Sequence, residues 1–384
     1  MGRPKKIICN KILSDNEVSN LEGCWIDESY MKFPVIQENT DVYYLDENGN
    51  QKLLLKFRKN CFTNSSIHLG WNSYKELAKP SRGRGASAGP IDTKGQYFSK
   101  RDLVNTKKWS TGYLKPDGQK LKQELLTKTN EELISIANQN NMNINEKTNS
   151  EIIIDIIKKK KGISNMKINN QVASNAIGFY EAQKNLGRDH PCRLTHFTRT
   201  NYDDYIRGLP FIKQIDNLFK KLIPESYEKQ NDRALKQPIF KIKDTSFSTV
   251  TINRNFRTAL HKDAGDYKDG FGNLTVIRRG KYHGGYTIFP QFGVAIDVDT
   301  KDFLAMDVHQ WHANTPIYQT NEDKVFNESL EPVFKENPDV GTAGIYEKYT
   351  RLTFVCYLRE KIISCSDNVD PNFLSGTTKK KINK

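Results

Sequence analysis

A chain of 384 residues with 36% hydrophobic and 10% aromatic side chains can bury a substantial core, which excludes wholesale disorder. Its mean hydropathy of −0.69 and the lack of a long apolar run or an apolar leader argue against a membrane span and for an intracellular protein, wherever its partner lies. The formal net charge of +14 favours a polyanionic partner, nucleic acid first. Its six cysteines are scattered without a Cys-x-x-Cys pair, so neither disulfides nor a structural zinc site are expected.

Residues 1–20 read as a basic tail in which Arg3 and Pro4, beside Lys5 and Lys6, form a single AT-hook-like element suited to a narrow minor groove. Residues 42–45 and 53–57 read as strands around Asn48 and Gly49, a pair that supplies the positive φ of a tight hairpin. The stretch 80–90, rich in Gly, Ser and Arg, predicts no regular element; it suits either close backbone approach to a phosphate or a linker.

The pattern changes over 121–161. Thr129 with Glu132, and Thr148 with Glu151, are capping boxes that each open a helix. Leu133, Ile136 and Ala137 line the first helix, and Ile152, Ile153, Ile156 and Ile157 the second, which ends in four lysines and Gly162. Helix, short extended piece and basic helix in this order resemble a SAP-type module, a small DNA-binding unit. The plainer alternative is a helical hairpin with a solvated basic end.

Past residue 174 the apolar runs resume. Ile212, Ile215, Leu218, Phe219 and Leu222 recur at helical spacing over 211–222, a stripe suited to core packing. Strands are predicted over 247–252, 293–298, 303–308 and 351–358. Many strands and few helices predict an α+β protein whose core is a double-stranded β-helix, a relative of the jelly roll.

Inside this strand-rich region lie His261 and Asp263, two apart, and a distal pair, His309 and His312. In a strand, residues i and i+2 point the same way, so His261 and Asp263 can reach one ion while Lys262 faces away. Two His and one carboxylate leave open positions on a metal, the pattern of non-haem Fe(II) oxygenases. Either His309 or His312 can complete the set, but residues three apart in a strand face opposite sides. Both therefore bind one ion only with a turn between them.

The run 250–266, then Gly270 to Val276 and Gly284 to Pro290, is similar to the TET/JBP family. Its members are Fe(II)- and 2-oxoglutarate-dependent dioxygenases that oxidise the methyl group of 5-methylcytosine or thymine in DNA. The resemblance extends over roughly 80–360. It implies His261, Asp263 and His312 as iron ligands, His312 because a small residue follows it and Pro316 ends its strand. It implies Arg351 for the distal carboxylate of 2-oxoglutarate, Thr353 adding a hydroxyl, since a planar guanidinium makes two parallel hydrogen bonds. The interval between His312 and Arg351 is longer than the family pattern, making 318–346 an inserted loop and Arg359 the fallback.

The same resemblance assigns Asp266 to the extruded base. A carboxylate there accepts from a cytosine amine, which favours 5-methylcytosine over thymine. The expected division is a tail over 1–20, the N-terminal part of the dioxygenase over 21–118, the SAP-like insertion over 119–162, the catalytic core over 163–362 and a basic tail over 363–384. Implied besides Fe(II) and 2-oxoglutarate are O2, ascorbate as reductant and double-stranded DNA with a flipped base; no membrane and no obligate protein partner are expected. A thymine hydroxylase of the JBP type and a non-catalytic DNA-binding protein are the alternatives.

Overall fold

The computed structural model describes residues 3–81, 83–91, 103–107, 110–163, 169–185, 188–333 and 348–365. The chain divides into two compact units, Met1–Ser81 with Gln171–Lys384, and Arg82–Asn170. Among the described residues no helix is long and apolar enough to cross a membrane.

The first unit is built on strands β1 (Lys5–Cys9), β2 (Thr40–Leu45), β3 (Gln51–Arg58), β4 (Pro80–Ser81), β5 (Val172–Tyr180), β6 (Arg193–Leu194), β7 (Thr249–Arg254), β8 (Gly272–Arg279), β9 (Thr287–Phe289), β10 (Val294–Ile296), β11 (Phe303–Met306), β12 (Ala313–Asn314) and β13 (Thr350–Tyr357). The large sheet runs β1-β2-β3-β11-β8-β13-β7-β5-β6, with β4 on β5; the small one runs β10-β9-β12. Side chains alternate across these strands. Leu274, Val276, Leu304 and Met306 of the large sheet meet Phe289, Val294 and Ile296 of the small one in one buried cluster. From the opposite face, Val250, Ile252, Leu352 and Phe354 pack on Tyr74, Phe211, Ile212, Ile215 and Phe219. Two sheets facing across a shared core, with helices outside, make the double-stranded β-helix of an α+β protein.

The helix expected from residue 211 spans Tyr202–Leu222, with Pro210 inside it. Its first turns carry Tyr205 and Gly208 against Tyr74, where a side chain on Gly208 would collide with the Tyr74 ring at 2.2 Å. Tertiary packing therefore carries the helix through Pro210 and back to Tyr202. The 46–50 hairpin forms as read: Gly49 has φ +77°, and Asp46 Oδ1 accepts from the N–H groups of Asn48 at 3.0 Å and Asn50 at 2.8 Å.

Two expectations are corrected. Lys5 to Cys9 is not tail but the parallel partner of β2, and Ser14 caps a short helix over Asp15–Ser19. Lys5 and Lys6 flank the AT-hook-like step yet belong to a sheet edge. Disulfides were not expected, but Cys192 and Cys365 are bonded, 173 residues apart in sequence. Cys365 follows the short helix Glu360–Ser364 at the end of the described chain, so the bond fixes that end to the β6 edge. Without reductant, thiol titration of the unfolded protein should count four thiols, and six after reduction. Reduction should cost roughly 2–4 kcal/mol of stability, read from the urea midpoint.

In the second unit, helices Pro116–Leu126, Asn130–Gln139 and Asn149–Lys159 close on Leu114, Leu125, Leu133, Ala137, Ile152, Ile156 and Ile163. Both capping boxes are present. The first helix is not one of the two expected, and its start signal is Pro116 in the first turn. A Cβ on Gly118 would sit 2.1 Å from the Gly162 carbonyl, so glycine lets these segments touch. The compact unit is wider than 119–162 because Leu114 and Ile163 pair as a bridge at its base.

Candidate metal centre

His261 and Asp263 lie past the end of β7, where Asn255 takes φ +47° and ends the strand. The two are not neighbours on a regular strand. His261 pairs with His312 as an isolated antiparallel bridge, His261 N–H donating to the His312 carbonyl at 3.1 Å and the reverse at 3.0 Å. Asp263 is held separately, its N–H donating to the Val308 carbonyl at 3.0 Å. One ligand atom from each of His261, Asp263 and His312 lies within 4.8 Å of the others. The Asp263 oxygens stand 3.7 Å from the Nε2 atoms of both histidines.

The histidine tautomers are set by the backbone. His261 Nδ1 lies 2.7 Å from the Ala259 carbonyl and His312 Nδ1 lies 2.9 Å from that of Gln310. A carbonyl can only accept, so each Nδ1 carries the proton and each Nε2 presents a lone pair to the group. Burial, then the neighbouring His261, pushes the His312 imidazole down to about 4, so it is neutral and ready to ligate. Two imidazoles and one carboxylate, with Asp263 about a third exposed, fit a divalent iron that keeps open positions. His309 points elsewhere: its Nε2 lies 3.2 Å from the Tyr267 carbonyl, and a turn separates it from His312. Lys262 lies over the Trp311 ring at 5.0 Å.

Arg351 and Thr353 lie on β13 and face opposite to Leu352 and Phe354, towards the small sheet. Arg351 Nη1 donates to Thr353 Oγ1 at 2.6 Å, and the Arg351 N–H donates to Asn255 Oδ1 at 2.6 Å. Its Nη2 is buried with no partner among the described residues, and no carboxylate there lies within ion-pair distance of it. The residue is 4% exposed. A buried guanidinium without a counter-ion is costly unless an anion joins it, so this donor set fits the carboxylate of a 2-oxo acid. Gly285 leaves that side open: a Cβ there would stand 3.4 Å from Arg351 Nε. Sequence reading missed Asn255, which fixes Arg351 and bonds the Tyr349 carbonyl at 3.0 Å; its only signal is an Asn where a strand must end.

Arg359, the fallback, is fully engaged. It donates to Glu181 at 3.0 Å, Thr249 at 3.1 Å and the Tyr357 hydroxyl at 3.2 Å. Its backbone forms a bridge with Asp266. Asp266 is buried, its Oδ2 has no hydrogen-bond partner among the described residues, and burial followed by Asp263 raises its carboxyl well above the usual range.

A double-stranded β-helix with a two-His, one-carboxylate group and a buried unpaired arginine defines the mononuclear iron, 2-oxoglutarate class of oxygenase fold. Residues 176–360, just under half of the chain, match the Tet_JBP model, the oxygenase domain of the 2OGFeDO superfamily. The bifunctional helicase and thymine dioxygenase JBP2 of Leishmania tarentolae is 31% identical over 188 residues, 49% of this chain and 14% of that protein. The thymine dioxygenase JBP1-A of Trypanosoma cruzi (strain CL Brener) is 33% identical over 168 residues, 44% of this chain and 17% of that protein. The chain thus matches less than a fifth of the length of either relative. A solved structure, NgTET1 in complex with 5mC DNA, aligns over 97% of this chain and 100% of its own at 9% identity, with a TM-score of 0.43.

Proposed function

We propose that this protein is an Fe(II)- and 2-oxoglutarate-dependent dioxygenase that oxidises the 5-methyl group of a pyrimidine in DNA, with thymine as its base. The observation that carries this reading is the His261, Asp263 and His312 group on the same core as the unpaired Arg351. Iron, when bound with 2-oxoglutarate and O2, supplies the oxidant that turns the methyl C–H into C–OH while the oxo acid leaves as succinate and CO2.

The protein's own part is positioning. His261 and His312, paired through their backbones, and Asp263, whose N–H bonds Val308, would hold the metal. Arg351 and Thr353 orient the oxo acid by its distal carboxylate, and the surrounding core keeps water away from it. A methyl group stacked within duplex DNA cannot reach a pocket between two sheets, so the base is extruded. The unpartnered Asp266 Oδ2 is a group that a base edge can satisfy.

Thymine is favoured by the two relatives, both named thymine dioxygenases. Asp266 supports a second reading. Ionised, it accepts from the amine of 5-methylcytosine; protonated, it donates to a thymine carbonyl. Nucleoside mass spectrometry decides between them. The protein is incubated with Fe(II), 2-oxoglutarate and ascorbate on thymine-containing and on 5-methylcytosine-containing DNA, with an arm lacking 2-oxoglutarate. 5-Hydroxymethyluracil is the expected product. 5-Hydroxymethylcytosine alone would transfer the reading to the second base, and succinate without either product would place the substrate outside DNA.

The second unit is read as a DNA-holding module. Lys159, Lys160 and Lys161 end its last helix and are exposed. Replacing all three with Ala should weaken binding to duplex DNA and reduce the slope of log K against log salt by up to about 3, near 0.9 per lost phosphate contact. An unchanged slope would remove the unit from the DNA interface.

A further inference from the structure

Tyr282 sits just beyond β8, in the turn that follows Gly280, and is 4% exposed. Its ring is held on two sides, by the Arg278 guanidinium 4.0 Å above it and by Tyr349 with ring centres 5.0 Å apart. Arg278 Nη2 also donates to the Tyr282 carbonyl at 2.7 Å. Despite this fixed setting, the Tyr282 hydroxyl is buried without a hydrogen-bond partner among the described residues. An unsatisfied buried hydroxyl is a standing cost that a folded protein rarely keeps without a ligand to meet it.

That hydroxyl belongs to the neighbourhood of Arg351, whose Nη2 is the other orphaned donor there. Arg278, which lies over the Tyr282 ring, is directly opposite Arg351 in the β8–β13 ladder. Their roles differ. Arg278 is balanced by Asp297 at 3.7 Å and Asp299 at 3.6 Å, whereas Arg351 has no such neighbour among the described residues. Burial keeps the Tyr282 phenol protonated against the pull of Arg351, its strongest charged neighbour, so it offers a proton.

The turn carrying Tyr282 is fixed by the segment that lengthens the interval between His312 and Arg351. Asn327, on the helix Asn321–Glu328, accepts from the Lys281 N–H at 2.8 Å and donates to the Lys281 carbonyl at 2.7 Å. Gly280 has φ +79°, and a Cβ there would stand 2.5 Å from Asn327 Oδ1. The helix thus grips the backbone of Lys281, the residue before Tyr282, at both its N–H and its carbonyl.

We infer that the Tyr282 hydroxyl is a second donor, beside Arg351, to the distal carboxylate of the 2-oxo acid, and that Asn327 is its positioning residue. This rests on the dioxygenase reading above. Two donors converging on one carboxylate select a dicarboxylic oxo acid over a monocarboxylic one, because a shorter or uncharged tail leaves both unpaired.

The test is anaerobic calorimetry with the Mn(II)-loaded full chain, titrating 2-oxoglutarate and, separately, 2-oxobutyrate, which lacks the distal carboxylate. Tyr282→Phe should raise the Kd for 2-oxoglutarate about tenfold or more and leave that for 2-oxobutyrate unchanged. Asn327→Ala should move the Kd in the same direction by less. Without ligand, Tyr282→Phe should melt at or above the temperature of the parent protein, since it deletes an unpaired hydroxyl. If the parent binds 2-oxoglutarate, Arg351→Met loses it and Tyr282→Phe binds as the parent does, this inference fails and the dioxygenase reading stands. If the parent itself does not bind 2-oxoglutarate, both fail. Equal weakening for both oxo acids would also overturn it, as would a lower melting temperature of Tyr282→Phe without ligand.

Discussion

Asp263→Ala should leave a folded protein that binds DNA, takes up no iron and has lost 2-oxoglutarate-dependent turnover by on the order of 10³-fold or more. That is the scale on which groups acting as one unit fail together. Asp263 is the best choice because its side chain is about a third exposed and its backbone, not its carboxylate, pairs with Val308. Removing the carboxylate opens no sealed cavity. It also takes away the only carboxylate of the triad, leaving two imidazoles. His261→Ala should behave alike. His312→Ala should also lose turnover but cost stability, since that ring is buried against Phe289, with centres 6.1 Å apart. Metal content by plasma emission, DNA affinity by anisotropy and product by mass spectrometry measure the three properties separately. Retained turnover in Asp263→Ala would remove the triad as the metal site.

Arg351→Met should have opposite effects on binding and on stability. Breaking a buried, charge-assisted pair with a carboxylate costs about 3–5 kcal/mol, which is roughly a hundredfold to a few thousandfold in the Kd for 2-oxoglutarate. The same change removes a buried cation with no counter-ion and substitutes an unbranched apolar chain of similar length. The ligand-free variant should therefore be more stable than its parent by at least about 1 kcal/mol, even though Thr353 loses the 2.6 Å hydrogen bond from Nη1. Calorimetry with Mn(II) gives the first quantity and urea melts the second. Lower stability without ligand would mean that Arg351 is satisfied within the protein, and that its burial is structural. Arg359→Met should differ in kind, because three side chains would lose their partner.

Alternating strands, capping boxes and the Asn48-Gly49 turn were legible in the sequence because each depends on neighbours within a few residues. The large sheet was legible only in pieces. β1 pairs in parallel with β2 across an intervening helix and turn, and a parallel pairing leaves no hairpin signature. The Cys192–Cys365 bond was illegible for the same reason: spacing carries no information about contacts between distant segments. The helix Pro116–Leu126 was passed over because it opens with a proline and a glycine rather than a capping box, although Pro116 at its start is itself a signal.

By itself the sequence determined the chemistry on offer: a His and an Asp two apart, distal histidines, an arginine on the last strong strand, and a motif shared with one oxygenase family. It could not decide which groups meet, because that depends on how the two sheets face each other. Folding brings His312 rather than His309 to the pair, since a turn rotates one away and a backbone bridge fixes the other. It surrounds Arg359 with acceptors and leaves Arg351 one donor short, a difference set by the neighbours of each guanidinium and invisible in either residue's local sequence.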